Sequence, residues 1–257
     1  MKPILFNTDM VRAILEGRKT VTRRVVKLKY SNTHLEMRTD KYGTRLIELQ
    51  NEEPGVTTVR NPNGTTTHKL LAAIERTPLY HPGDILYVRE TWQEVYETEF
   101  DADAPGSCVN IRTLIPNFDS IPKNEAGIST NCSCAAMKPR MKYYVFKASD
   151  IEYADPQNKL VWSPSIHMPR EAARIFLRVT DVRVERLQDM TIKDSLREGV
   201  KLNLKECVAG EIPLAPFARV WDSTIKETDR ALYGWEANPW VWVIEFERIS
   251  KEEAQYE

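Results

Sequence analysis

The sequence predicts an α+β, mainly β chain: a small, mostly antiparallel barrel with short helices at its mouth, interrupted by long insertions. Three observations predict it. Runs of β-branched and aromatic residues of strand length recur at 18–26, 85–92, 142–147, 175–184 and 240–246. Helical patterns are few and short. No regular crossover helices separate the strands, which argues against a doubly wound parallel sheet.

Thr8 is placed to cap a short helix whose apolar side is Met10, Val11, Ile14 and Leu15, and Gly17 sits where a left-handed residue ends it. A strand follows over Arg18–Val26. From about Tyr30 to Leu79 periodicity is poor, and turn signals punctuate what reads as an insertion with a hairpin around Asn63-Gly64. Ile85–Trp92 is a strand, and residues 97–140 form a second irregular insertion. After the strand Lys142–Lys147, a short helical turn starts beyond Met168-Pro169. Ile175, Leu177 and Val179 then set one apolar parity, which switches at Val182 and Val184 as a bulge near Asp181 would cause. Thr191-Ile192-Lys193-Asp194 matches a capping box, so a helix runs to Glu198 and ends at Gly199. Phe217, Val220, Trp221 and Ile225 share a helical face. The last strand, Trp240–Phe246, starts apolar on both faces, the pattern of a central strand. Trp221, Trp240 and Trp242 are assigned to core.

The chain has 257 residues, with 36 Lys plus Arg against 37 Asp plus Glu, a net charge of −1. That excludes coating nucleic acid by bulk charge, so such contact needs a local basic patch. The opening Met1–Asn7 is too short an apolar stretch for a secretory signal. No run of about 18 apolar residues marks a membrane helix. Four cysteines in this length fit reduced thiols, so a cytoplasmic chain without a membrane partner is expected.

The densest functional signal is 17–29, which holds Arg18, Lys19, Arg23, Arg24, Lys27 and Lys29 and no acid. It reads either as a solvated strand edge guarded by lysines or as a phosphate or anion site beside a glycine turn. Gly17-Arg18-Lys19-Thr20-Val21-Thr22-Arg23-Arg24 fills the pattern G-x-K-x-x-T-x-R and so resembles the signature of the ASCH domain family, whose fold is a PUA-like β-barrel. Pro82-Gly83-Asp84-Ile85-Leu86 resembles that family's glycine-aspartate turn, Leu187–Gly199 its glutamate-bearing helix, and Trp242–Phe246 its closing strand. With Trp162-Ser163-Pro164 and Ile166-His167-Met168-Pro169, the arrangement is similar to the longer ASCH proteins of prophages. The resemblance implies one domain over 1–257, with core stretches at about 1–29, 79–93, 141–153, 172–206 and 236–250 and insertions at about 30–78 and 94–140.

The resemblance implies RNA or a modified nucleoside as partner. Some small members are amidohydrolases that remove the acetyl group of N4-acetylcytidine, with the motif lysine, the motif threonine and a downstream glutamate as the catalytic groups. These correspond to Lys19, Thr22 and Glu198, and the motif arginine to Arg24. Threonine needs a base to become a nucleophile, and a lysine serves only if burial and like charges lower its pKa. An arginine suits the oxyanion that forms on the amide carbonyl. That chemistry requires no cofactor. Positions 19 and 22 have opposite parity in a regular strand, so the two groups meet only if the chain turns or the lysine wraps round.

Gly17, Arg18, Arg23 and Arg24 are the expected ligand contacts, and Tyr80, Trp92, Trp162 and Trp235 lie near turns or strand ends, where a base could stack. A non-catalytic RNA-binding module, and a phage interaction protein with the insertions as its surface, are the alternatives. His167 alone supplies no acid–base pair for a ribonuclease. Cys132-Ser133-Cys134 is off the usual zinc spacing, and with Cys108 and Cys207 the thiols read as inert, so no metal is expected.

Overall fold

The computed structural model describes residues 1–30, 33–41, 43–50, 58–60, 66–68, 74–99, 113–116, 138–149, 162–201 and 214–256. It is mixed α/β, with mostly strands in sheets and a few short helices. In chain order these are β1 (Lys2–Leu5), α1 (Thr8–Leu15), β2 (Val21–Val25), β3 (Thr33–Asp40), β4 (Gly43–Gln50), β5 (Thr58–Arg60), β6 (Thr66–His68) and β7 (Ile74–Glu75). There follow β8 (Ile85–Arg89), β9 (Trp92–Glu99), β10 (Thr113–Pro116), β11 (Lys138–Phe146), β12 (Phe176–Arg186), α2 (Ile192–Arg197), α3 (Ala215–Thr224), α4 (Arg230–Tyr233), β13 (Trp240–Ile249) and α5 (Lys251–Tyr256). The chain divides into two units. One holds Met1–Glu16, Ile85–Leu177 and Arg248–Glu257, and the other Gly17–Asp84 and Arg178–Glu247.

In the first unit β1 runs parallel to β8, pairing Ile4 with Val88. β9 lies between β10 and β11, antiparallel to both, with a register shift between Pro139 and Met141 where proline supplies no amide donor. Helix α1 forms because Val11 and Ile14 bury one face while the Asn7 side chain accepts the Met10 amide. The cap is therefore Asn7, one residue before the expected Thr8. Tyr87, Phe146, Met168, Phe176 and Ile249 share the core, with Trp92 packed against it and its ring 5.7 Å from that of Tyr144. Glu90 is buried and accepts two hydrogen bonds from Arg174, whose guanidinium lies 4.1 Å from the Phe146 ring centre.

In the second unit β13 lies between β12 and β2, the central place its two-faced apolar start predicts. It runs antiparallel to β2 in a register that sets Ile244 opposite Thr22. Val21, Leu187, Phe217, Trp221, Trp235 and Val243 share the core. Helix α2 has the full capping box between Thr191 and Asp194, and Gly199 just beyond it takes φ 89°, which glycine adopts without a Cβ penalty.

Several expectations change. Among the described residues no sheet closes into a barrel, since β1 and β2 each pair on one side only. The strand expected from Arg18 starts at Val21, and the one expected to reach Trp92 stops at Arg89, with Trp92 beginning β9. The poorly periodic stretch after Tyr30 holds the hairpin β3–β4. Its alternation is masked because Leu46, Ile47 and Glu48 are buried in succession and the last of them is charged. β5 and β6 pair as the Asn63-Gly64 turn signal predicts, and the turn itself lies outside the described residues. Trp240 and Trp242 are half-buried rather than core, and the Trp240 indole donates to Leu35 O with the Arg186 guanidinium 4.3 Å from its ring. Trp235 is core, edge-on to Phe217 at 6.0 Å, and so not a free stacking surface. β12 runs through Asp181 as one strand, in which the neighbours Thr180 and Asp181 are both exposed.

Candidate functional site

The site grows from the end of α2. Glu198 is the residue that closes that helix, and its backbone forms an isolated bridge with Lys19. On either side of that bridge the Thr20 amide donates to Arg197 O, and the Phe246 amide donates to Thr20 O. Segment 19–20 is thus clamped between α2 and β13 before β2 begins. This turns the Lys19 side chain inward, where it is 2 % exposed.

The Lys19 ammonium donates to Glu198 Oε2 at 2.6 Å, Glu198 O at 2.9 Å and Val21 O at 2.9 Å. An ammonium has three protons, and these three oxygens match them one for one. Burial pulls its pKa below the ordinary lysine value; Glu198 opposes that, and Arg24 and Arg23 add to it. The other carboxylate oxygen, Glu198 Oε1, accepts from Arg23 Nη1 at 3.3 Å.

Arg23 is 3 % exposed although it follows the parity of Val21 and Val25, both of which pack on the apolar core. Its Nη2 lies 3.5 Å from Glu185 and 3.9 Å from Asp194. Beyond it the charges continue. Arg183 bonds Glu185 at 2.5 Å and Glu245 at 2.6 Å, and Arg197 holds both oxygens of Glu245 at 3.1 and 2.5 Å. The sequence reading missed this outer ring of Glu185, Asp194, Arg183, Arg197 and Glu245. Its signal was the same-parity run Asp181, Arg183, Glu185 in a strand.

Thr22 is 1 % exposed and belongs to the opposite parity, with Arg24. Its hydroxyl is not among the hydrogen-bond partners found for Lys19 or Glu198. The structure therefore brings Lys19, Arg23 and Glu198 together, while Thr22 shares its parity in β2 with Arg24, whose charge also reaches Lys19 and Glu198. Arg24 is half-buried and interacts electrostatically with Glu198 and Tyr80. Tyr80 is buried, and that burial raises its pKa while Arg24 opposes it. Arg18 Nη1 donates to Gly199 O at 2.6 Å, and Gly17 has φ 74° with open space where a Cβ would stand. Trp92 and Trp162 belong to the other unit.

The solvated-edge reading of 17–29 fails for Lys19 and Arg23, which are internal; Lys27 and Lys29 are exposed. Cys108, Cys132, Cys134 and Cys207 lie outside the described residues. Among the described residues no group of three His, Cys, Asp or Glu is arranged to hold a metal ion, and no helix is long and apolar enough to cross a membrane.

The outer ring makes stability depend on acid pH. Hydrogen bonds from Arg197, against burial and with help from Arg183, hold the Glu245 carboxyl below its ordinary 4.5. For Asp194, burial raises the pKa but is outweighed by the Thr191 amide and hydroxyl and by Arg23, so it falls below 3.8. A depressed carboxyl contributes stability that is present above the unfolded-state value and lost as pH falls through the folded one. Urea unfolding across a pH series will show a midpoint that declines once pH drops below 4.5. In Glu245→Gln that decline is shallower and the midpoint at neutral pH lower, whereas equal slopes would show that Glu245 is not held.

No protein-family model matches the chain, and no curated protein or solved structure matches it.

Proposed function

We propose that the chain is an ASCH-type nucleoside-binding protein and an amidohydrolase that removes an acyl group from N4-acylcytidine-like substrates. The PUA-like fold that accompanies that family is part of the proposal and rests on the order of the resembling motifs. The observation that carries the chemistry is the buried Lys19–Glu198 contact at 2.6 Å. Taking both charges out of water costs several kcal/mol per ion, of order more than a packed apolar pair would. Buried charge pairs with lowered proton affinity concentrate where protons are moved.

In this reading the neutral form of Lys19 is the general base, oriented by Glu198. It takes the Thr22 hydroxyl proton as Thr22 Oγ1 attacks the acyl carbon. Arg24 meets the negative charge on the carbonyl oxygen. The C–N bond breaks, and the proton passes from Lys19 by way of Glu198 to the leaving amine, giving free cytidine. Water then hydrolyses the acyl-threonine to the carboxylic acid and restores the hydroxyl. No cofactor takes part. Thr22 shares its parity in β2 with Arg24, which interacts with Lys19 and Glu198, and in the bound state its hydroxyl comes within hydrogen-bond reach of the amine.

The phosphate-gripping alternative assigns Lys19, Arg23 and Arg24 to phosphates; of these Arg24 is half-buried, while Lys19 and Arg23, like Thr22, are buried and meet a ligand in either reading only where the site opens. Thr22→Val removes one hydroxyl and keeps the shape. It is expected to lower turnover of N4-acylcytidine by roughly 100-fold or more, with binding retained. Wild-type protein that releases no carboxylate from any acylated nucleoside overturns the catalytic reading.

A further inference from the structure

Position 23 lies on the core-facing parity of β2, between Val21 and Val25, where a valine would pack. It carries instead a buried guanidinium that is poorly held. Nη1 reaches Glu198, but Nε and Nη2 are buried without a hydrogen-bond partner among the described residues. Glu185 at 3.5 Å and Asp194 at 3.9 Å attract it without bonding it well. Buried donors left unmade are costly. An arginine placed only for stability would have its fork satisfied, as Arg174 does on Glu90. What Arg23 does complete is Glu198. One carboxylate oxygen goes to Lys19 and the other to Arg23, so the carboxylate cannot rotate without losing a buried cation.

We propose that Arg23 is a positioning residue for the Lys19–Glu198 pair: it fixes Glu198 Oε1 so that Oε2 stays on the amine, and its positive charge opposes that of the ammonium. This rests on the reading of the site given above. Position 23 is one of the unspecified places of the G-x-K-x-x-T-x-R pattern, so the resemblance does not assign it.

The groups facing Lys19 are Glu198 at the end of α2 and Arg23 and Arg24 of β2, and those facing Arg23 are Glu198 and Asp194 of the α2 segment and Glu185 of β12. Removing the Arg23 charge leaves these carboxylates less compensated, so Lys19 holds its proton more tightly. The same like-charge effect already contributes to the lowered Lys19 pKa.

The test is a pH titration of carbon-13-labelled lysine side chains in the full chain, wild type beside Arg23→Gln, Arg23→Met and Arg23→Lys. Lys19 is assigned by its loss in Lys19→Met. The Lys19 midpoint is expected to move up in both neutral variants and to return toward wild type in Arg23→Lys. Methionine suits a core-facing position, so it serves if the glutamine variant does not fold. An unmoved Lys19 midpoint in a folded neutral variant overturns the proposal, since a structural role would lower only the unfolding midpoint. If wild type also hydrolyses N4-acetylcytidine, the acid limb of its rate profile moves up with the Lys19 midpoint. If it hydrolyses nothing, the catalytic reading fails and the titration still decides the role of Arg23.

Discussion

Glu198→Gln will destabilise the protein by about 3–5 kcal/mol, the cost of removing one partner from a buried ion pair. The amide has one oxygen and one NH2 where the carboxylate has two acceptors. Either Lys19 or Arg23, both buried, then faces a donor. The substitution keeps the volume and the helix end, so packing does not change. Replacing the pair together, Lys19→Met with Glu198→Leu, will recover most of the loss, because apolar side chains of similar size carry no desolvation cost. Arg23 keeps Glu185 and Asp194 nearby in that double variant. Urea unfolding followed by tryptophan fluorescence reads this directly, since Trp221 and Trp235 lie in the core of the same unit. A Glu198→Gln protein within about 1 kcal/mol of wild type would show the pair to be solvated.

The second large effect is expected at Glu48 on β4. Its carboxylate accepts the Lys29 and Tyr30 amides and the Thr33 hydroxyl at 2.7–3.1 Å, with Arg76 at 3.4 Å. It is 2 % exposed, and it gathers the donors of the turn that leads from β2 to β3. Glu48→Leu strands the Lys29 and Tyr30 amides, while the Thr33 hydroxyl keeps Tyr30 O and Arg76 keeps Lys27 O, and will cost about 3–5 kcal/mol. Glu48→Gln retains one acceptor and will cost less. Amide exchange separates local from global damage. Residues 29–40 will lose protection in Glu48→Leu more than β13 does, and uniform loss would contradict the local role given to Glu48.

These two carboxylates also mark how far the sequence could be read. The capping box at Thr191–Asp194, the glycine ending α2, and the central place of the last strand are local signals, and each is found where the residues predict it. Glu198 follows from them, as the residue between a capped helix and its glycine. The inward turn of Lys19 is not local. It comes from a bridge between residues far apart in the chain, which precedes the strand and sets the lysine against Glu198. No periodicity records that. The β3–β4 hairpin was hidden for a related reason, since a buried Glu48 interrupts the apolar alternation that identifies strands. Trp240 and Trp242 misled in the other direction: large rings suggest core, but indole and arginine stack well at a half-buried surface.

In the proposed reaction Lys19 and Glu198 act together on a bound acylated nucleoside. The most direct measurement adds N4-acetylcytidine to the carbon-13-lysine protein and follows the Lys19 resonance and the released acid in one sample. The Lys19 signal is expected to shift as the nucleoside binds, and acetate and cytidine then to appear in equal amounts. An unmoved Lys19 signal beside intact nucleoside would contradict that reaction.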